Sequence, residues 1–144
     1  MTEVTFHFNV PDRIDYACRL LRKAYASGNR VGVVADEFLL QELDQRLWTF
    51  SALEFIPHCR GHADAAMRAA SPVVLAASCG EIEHSDVLVQ LGDEPPAGFE
   101  RFERLIELVG LAPEERQQAR LRWRHYADRG YEIKTHDVAA MRNQ

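Results

Sequence analysis

The stretch VTFHFNVPDRIDYACRLLRKAYASGNRVGVVA, residues 4–35, decides the fold class because a strand, a helix and a second strand follow one another within it. Apolar and polar residues alternate over about residues 5–9, which predicts a strand. A helix begins at Pro11 and Asp12, and its apolar residues at helical spacing predict one buried face: Ile14, Ala17, Cys18, Leu21 and Tyr25. Gly28 ends this helix, and the apolar run at 30–35 predicts a buried strand.

Further helices and strands are predicted along the rest of the chain. Asp36 is placed to cap a second helix whose apolar residues recur at helical spacing: Phe38, Leu39, Leu43 and Leu47. Further strands are predicted at 72–77, 85–91 and 131–136, and a long helix from Pro113 to about residue 129. The segment ERFERLIELVG, 100–110, reads either as one helix or as a helical turn followed by a strand over 104–109, and 49–71 has no clean periodicity. This order predicts an open α/β sheet covered by helices on both faces.

Composition indicates an ordinary globular protein, and we expect residues 1–144 to form one domain. Hydrophobic residues make up 47% and charged residues 27%, and no apolar run approaches the roughly 20 residues that span a bilayer. The N-terminus lacks the basic and apolar regions of a signal peptide, so we expect a cytoplasmic protein with no membrane partner. Three widely spaced cysteines indicate reduced thiols rather than a disulfide framework.

Positive charge is concentrated in one segment of an acidic chain. The net charge is −5, yet residues 116–131 contain five arginines and one acid, so the rest of the chain carries about −9. An acidic body disfavours broad binding to DNA phosphates, which points to a small anionic partner. On a helix, Arg116, Arg120 and Arg124 form one ridge beside Trp123, suited to binding carboxylates or phosphates. The alternative is a solvated arginine face with Trp123 and Tyr126 in the core.

The sequence gives little support for catalysis, metal binding or nucleotide binding. The first strand-to-helix turn contains no glycine, whereas a bound pyrophosphate needs glycines there, and no Walker loop or nucleophile elbow occurs. The cluster HCRGH at 58–62 offers too few ligands for zinc, so we expect no metal and no cofactor. A second aromatic segment, RLWTFSALEFIPH at 46–58, is either core beneath a loop or a set of exposed interface anchors.

These segments together resemble the chi subunit family of bacterial DNA polymerase III holoenzyme. The resemblance runs over nearly the whole chain, and the order and spacing of the matching segments make it specific. The segments are TFHF at 5–8, SGNRV at 27–31, LDQRLWTF at 43–50, FIPH at 55–58, DVLVQL at 86–91 and ARLRWRHYADRGYEI at 119–133.

The resemblance implies a Rossmann-like, mostly parallel sheet and a replication adaptor without catalytic activity. Chi proteins work in the clamp-loader assembly, pair with the psi subunit, and bind the acidic C-terminal tail of single-stranded DNA-binding protein, which ends in phenylalanine. By position, the tail-binding residues are Val109, Arg116, Arg120, Trp123 and Arg124. The residues facing psi are Trp48, Phe55, Pro57 and His58.

Within this family-based hypothesis, we expect Arg120 to hold the terminal carboxylate and its two neighbours on the ridge to serve the upstream acids. Trp123 and Arg124 replace a tyrosine and a lysine that the family often has, and both changes keep the chemical type. The loop at 78–86 is acidic where some relatives are basic, so DNA would be contacted only indirectly. The rival hypotheses are a small nucleotide-dependent enzyme and a direct binder of single-stranded nucleic acid.

Overall fold

Seven strands and five α-helices form along residues 1–49 and 56–142, the part of the chain that the structure, a computed structural model, describes. The strands are β1 (Glu3–Val10), β2 (Val31–Val34), β3 (His58–Arg60), β4 (Val73–Ala76), β5 (Val87–Gln90), β6 (Arg104–Gly110) and β7 (Ile133–Asp137). The helices are α1 (Arg13–Ala26), α2 (Glu37–Thr49), α3 (Ala65–Ala70), α4 (Pro113–Asp128) and α5 (Val138–Arg142).

The strands form one open sheet in the order β3-β4-β2-β5-β6-β1-β7, and every neighbouring pair is parallel. The predicted α/β class with a mostly parallel sheet is confirmed. The ambiguous segment 100–110 takes the second of its two expected forms. A 3-10 turn at Phe99–Arg101 precedes strand β6. The residues that follow form a strand because they pair with β5 on one side and β1 on the other.

Two local predictions are wrong, and one helix was not predicted. The segment 49–71, expected to be irregular, contains β3 and α3; both are short, so neither builds a periodic pattern that sequence can reveal. Beyond the last predicted strand, the chain also forms the short helix α5. Tyr25, expected on the buried face of the first helix, is 40% exposed, and Phe38, part of the apolar repeat of the second, is 67% exposed; each is the second residue from a helix end.

Two cores cover the two faces of the sheet. On one face, α1 and α2 pack together against the strands through apolar residues that include Cys18, Leu21 and Leu43. On the other face, α4 and the loop before β6 contribute Ala119, Tyr126 and other apolar side chains. The second face carries the cleft described below, since α4 covers only part of β1, β6 and β7 there.

Candidate functional site

A cleft of about 410 Å³ opens between helix α4 and the strands β1, β6 and β7. Both the sheet and the helix contribute apolar and polar side chains to the cleft. The lining residues are Phe6, Phe8, Asn9, Val109, Arg116, Ala119, Arg120, Trp123 and Thr135. Four of the five residues expected to bind an anionic tail therefore share one cleft, and Arg124 is exposed farther along the same helix.

Helical spacing explains how α4 presents both an apolar wall and positive charge. Residues 116, 119, 120 and 123 stand at intervals of three and four, so they face the cleft together. Trp123 is 37% exposed and its ring centroid lies 5.1 Å from that of Phe6, whereas Tyr126 is fully buried. The alternative that placed both aromatic rings in the core holds for Tyr126 and fails for Trp123, which forms a wall of the cleft.

The arginines on this side of α4 have no ion-pair partner among the described residues. None of the ion pairs in the described part of the chain includes Arg116, Arg120 or Arg124. Arg116 Nη2 instead donates a 3.0 Å hydrogen bond to the neutral amide oxygen of Asn9. Arginine side chains of this kind can form forked, charge-assisted bonds to a carboxylate that arrives from outside.

A buried polar network holds α4 against the sheet beneath this surface. Arg122 Nε donates to Glu107 Oε1 at 2.9 Å, and the Tyr126 hydroxyl donates to Glu107 Oε2 at 2.5 Å. Burial raises the pKa of Glu107 to about 7, although Arg122 and Tyr126 act in the opposite direction. Burial also raises the pKa of Tyr126 beside that carboxylate, so its hydroxyl remains a donor. The network fixes the rotation of α4 and hence which residues reach the cleft.

Two carboxylates lie beside the carboxyl ends of β1 and β6, the edge at which open α/β sheets bind ligands. Asp12 accepts a hydrogen bond from the backbone of Asp15 and so caps the N-terminus of α1. Glu115 pairs with Arg13 at 3.2 Å and lies directly against Gly110, where an added Cβ would come within 1.7 Å of its Oε2 atom. The Asp12 carboxylate thus occupies the helix N-terminus that a phosphate would need, which argues against a nucleotide site there.

Comparison with known proteins agrees with this architecture. The family model described as DNA polymerase III chi subunit, HolC, matches residues 1–134. The chain belongs to the DNA polymerase III chi subunit family. The Pseudomonas aeruginosa DNA polymerase III subunit chi is 38% identical over 142 residues, which cover 94% of this chain and 96% of the relative. The Haemophilus influenzae subunit chi is 26% identical over 126 residues, 86% of each chain.

Membership in the chi family makes this protein an accessory subunit of the replication machinery. Within the described residues, no helix is both long and apolar enough to cross a membrane.

Of the residues that the chi resemblance assigns to psi, the structure describes Trp48, Pro57 and His58. Trp48, at the end of α2, is 61% exposed, and its ring centroid lies 5.2 Å from that of His58. The His58 side chain is only 1% exposed, and its ring nitrogens bond to Asp44 Oδ1 at 2.8 Å and to the Ile56 carbonyl at 2.7 Å. The buried His58 ring therefore packs beneath the exposed Trp48 side chain. Pro57 is half-buried, and Phe55 lies outside the described residues.

The residues of the HCRGH motif do not converge. The Cys59 side chain belongs to the core, His58 is hydrogen-bonded as described, and His62 is exposed. No group of three potential metal ligands occurs among residues 1–49 and 56–142. Whether the protein binds zinc stays a prediction of absence, which elemental analysis can test.

Sequence reasoning missed the part of the cleft that β1 and β7 provide. Phe6, Phe8, Asn9 and Thr135 come from strands more than 100 residues apart in the chain, and the buried Glu107–Arg122 pair was also unforeseen. The alternation in VTFHF placed Phe6 and Phe8 on one face, but it could not identify the helix opposite them. An acid inside the apolar run LIELV was the available signal for Glu107.

Proposed function

We propose that this protein is a non-catalytic replication adaptor whose cleft binds the acidic C-terminal tail of single-stranded DNA-binding protein. The observation that carries the proposal is an apolar cleft flanked by Arg116 and Arg120, neither of which has an acidic partner in the described part of the chain. Such a site suits a ligand that combines a hydrophobic group with negative charge. A tail ending in phenylalanine with a free carboxylate has this chemistry.

The parts of the ligand correspond to the parts of the cleft. The phenyl ring would pack between the apolar strand residues Phe6 and Val109 and the Trp123 ring. The terminal carboxylate would accept forked hydrogen bonds from Arg120, as expected from the sequence, with Arg116 beside it at the cleft. Arg124, outside the cleft lining, would contribute only longer-range attraction to the upstream acids, an effect that salt screens.

Calorimetric titration with a synthetic tail peptide tests the proposal. We expect Arg120→Ala to weaken binding about 30-fold or more, since losing one partner of a desolvated charge pair costs about 2–5 kcal/mol. Deleting the terminal phenylalanine should cost at least as much, because ring and carboxylate leave together. Arg124→Ala should weaken binding only mildly and mainly at low salt. Arg19→Ala is the matched control, since Arg19 is an exposed arginine on the opposite face of the sheet.

Two results would contradict the proposal. The first is a peptide lacking its terminal phenylalanine that binds as tightly as the intact peptide, which would indicate only a diffuse basic surface. The second is tight binding of a naked single-stranded oligonucleotide at physiological salt together with no peptide binding, which would favour the direct nucleic-acid binder.

We further propose that the surface around Trp48 pairs with the psi subunit. The support is a large aromatic side chain, 61% exposed, at the end of α2 beside the buried His58 ring. Exposed tryptophans are frequent anchors of protein interfaces. Trp48→Ala should weaken capture of psi while the melting temperature stays close to wild type. Unfolding of the isolated Trp48→Ala variant would show instead that this residue belongs to the core.

The adaptor proposal places the protein in the clamp-loader assembly in the bacterial cytoplasm, with DNA contacted only through its partners. Its main rival is a nucleotide-dependent enzyme, against which the carboxylates of Asp12 and Glu115 at the sheet edge argue. A thermal-shift screen with nucleotides separates the two hypotheses: the adaptor should show no upward shift, and a clear shift with any nucleotide would favour the enzyme.

A further inference from the structure

Asn9 lies at an irregularity in strand β1 that turns its side chain toward the cleft. In the pairing with β6, His7 lies opposite Leu108 and Val10 opposite Gly110, so β1 contains one extra residue at this point. Asn9 adopts a left-handed backbone conformation with φ of 60°, the sole positive φ outside glycine among the described residues. Regular alternation would have placed Asn9 with His7, which contacts Tyr16 on the α1 face. A bulge of this kind re-aims a side chain.

Both ends of the Asn9 amide are hydrogen-bonded, and its orientation follows from the chemistry of its neighbours. Its oxygen accepts from Arg116 Nη2 at 3.0 Å, and its Nδ2 donates to Asp137 Oδ1 at 3.0 Å. A guanidinium can only donate and a carboxylate can only accept, so the amide cannot turn over without losing both bonds. Asp137 is held in turn, because it accepts from the backbone nitrogens of Ala139 and Ala140 at the start of α5.

We propose that Asn9 is a positioning and specificity residue that fixes Arg116 at the cleft while leaving it without an ion-pair partner among the described residues. The amide restrains the arginine and carries no charge of its own. An aspartate in the same place would form an ion pair with Arg116 and compete with a ligand carboxylate. This inference rests on the proposed function, since it assigns a role in recognising the same anionic peptide.

The physical benefit is preorganisation. A free arginine side chain samples many rotamers, and a ligand that immobilises it must offset that loss of freedom. Asn9 holds the guanidinium beside the cleft before the ligand arrives. Loss of this restraint should weaken binding about two- to tenfold.

The test is calorimetric titration of the tail peptide into the wild type, Asn9→Gly, Asn9→Asp and Arg116→Ala, and into the double variant that combines Asn9→Gly with Arg116→Ala. Glycine tolerates the left-handed conformation, so Asn9→Gly removes the side chain and keeps the bulge. We expect Asn9→Gly to bind about two- to tenfold more weakly than wild type and Asn9→Asp to bind more weakly still. In the Arg116→Ala background, Asn9→Gly should change affinity less than about twofold, because the residue acts through that arginine.

The outcomes separate the inference from the proposed function. Wild-type affinity in Asn9→Gly, or Asn9→Asp binding as well as Asn9→Gly, would overturn the role of Asn9 and leave peptide binding intact. An equal loss from Asn9→Gly in both backgrounds would show that Asn9 acts through the fold rather than through Arg116, which also overturns the inference. A wild-type protein that does not bind the peptide would overturn the proposed function and the inference with it.

Discussion

Replacing Tyr126 by phenylalanine tests the claim that a buried hydrogen-bond network holds α4 in place. The Tyr126 hydroxyl donates to Glu107 Oε2 at 2.5 Å, and both side chains are fully buried. Within the described residues, Oε2 has no other hydrogen-bond partner, while Oε1 is bonded to Arg122. Tyr126→Phe removes one oxygen atom, keeps the ring, and leaves one buried carboxylate oxygen unsatisfied.

The expected loss of stability follows from the charge of the acceptor. A hydrogen bond to a charged group contributes about 1.5–3 kcal/mol. For 144 residues the unfolding entropy is about 0.3 kcal/mol per kelvin, so the melting temperature should fall by about 5–10 °C at pH 8. At pH 8 Glu107 is above its pKa of about 7 and charged. The deficit should shrink at pH 5.5, where the carboxyl holds a proton and the lost bond is no longer charge-assisted.

Tyr131→Phe is the matched control for this experiment. The Tyr126 and Tyr131 rings both lie 5.2 Å from Phe99 between centroids, but the Tyr131 hydroxyl has no hydrogen-bond partner among the described residues. Urea unfolding and thermal melts followed by circular dichroism give the comparison. If Tyr126→Phe and Tyr131→Phe are equally stable at pH 8, the network does not stabilise the position of α4 and the reasoning fails.

Three further predictions concern stability and thiol chemistry. Gly32→Ala should lower the free energy of unfolding, measured in urea, by about 1–3 kcal/mol, because its added Cβ would come within 2.5 Å of Ile82 Cδ1. Gly80→Ala is the control and should show no such loss, since the nearest atom to its added Cβ lies 3.9 Å away. Burial and nearby positive charge lower the pKa of His7 from 6.5 to about 4. As the pH falls from 7 to 4.5, the unfolding free energy of the wild type should therefore decrease by about 1–2 kcal/mol more than that of His7→Gln. Parallel pH profiles of stability would contradict this. Burial raises the pKa of Cys18 to about 12, so a thiol reagent should label it at pH 7.5 only after unfolding, and fast labelling of the native protein would refute its burial.

The fold class could be predicted because its signals are local. Alternation over 5–9, the apolar run at 30–35 and the arginine-rich helix after Pro113 each depend on neighbours within about one turn or one strand. The same locality explains the failures. The three residues of β3 form a strand because β4 offers a free edge, and β6 is a strand because β5 and β1 lie on either side.

Part of the candidate site could likewise be predicted from local sequence, and the rest could not. By itself, the sequence determined the α/β class, the positive ridge of Arg116 and Arg120, and the nearby Trp123, because helical spacing alone brings these side chains onto one face. Only the tertiary structure decided that Phe6 and Asn9 complete the cleft and that Arg122 turns inward to Glu107 while its neighbours turn outward. The reason is physical: pairing across a sheet joins residues distant in the chain, and a bulge or a buried charge pair acquires its meaning from the groups packed against it.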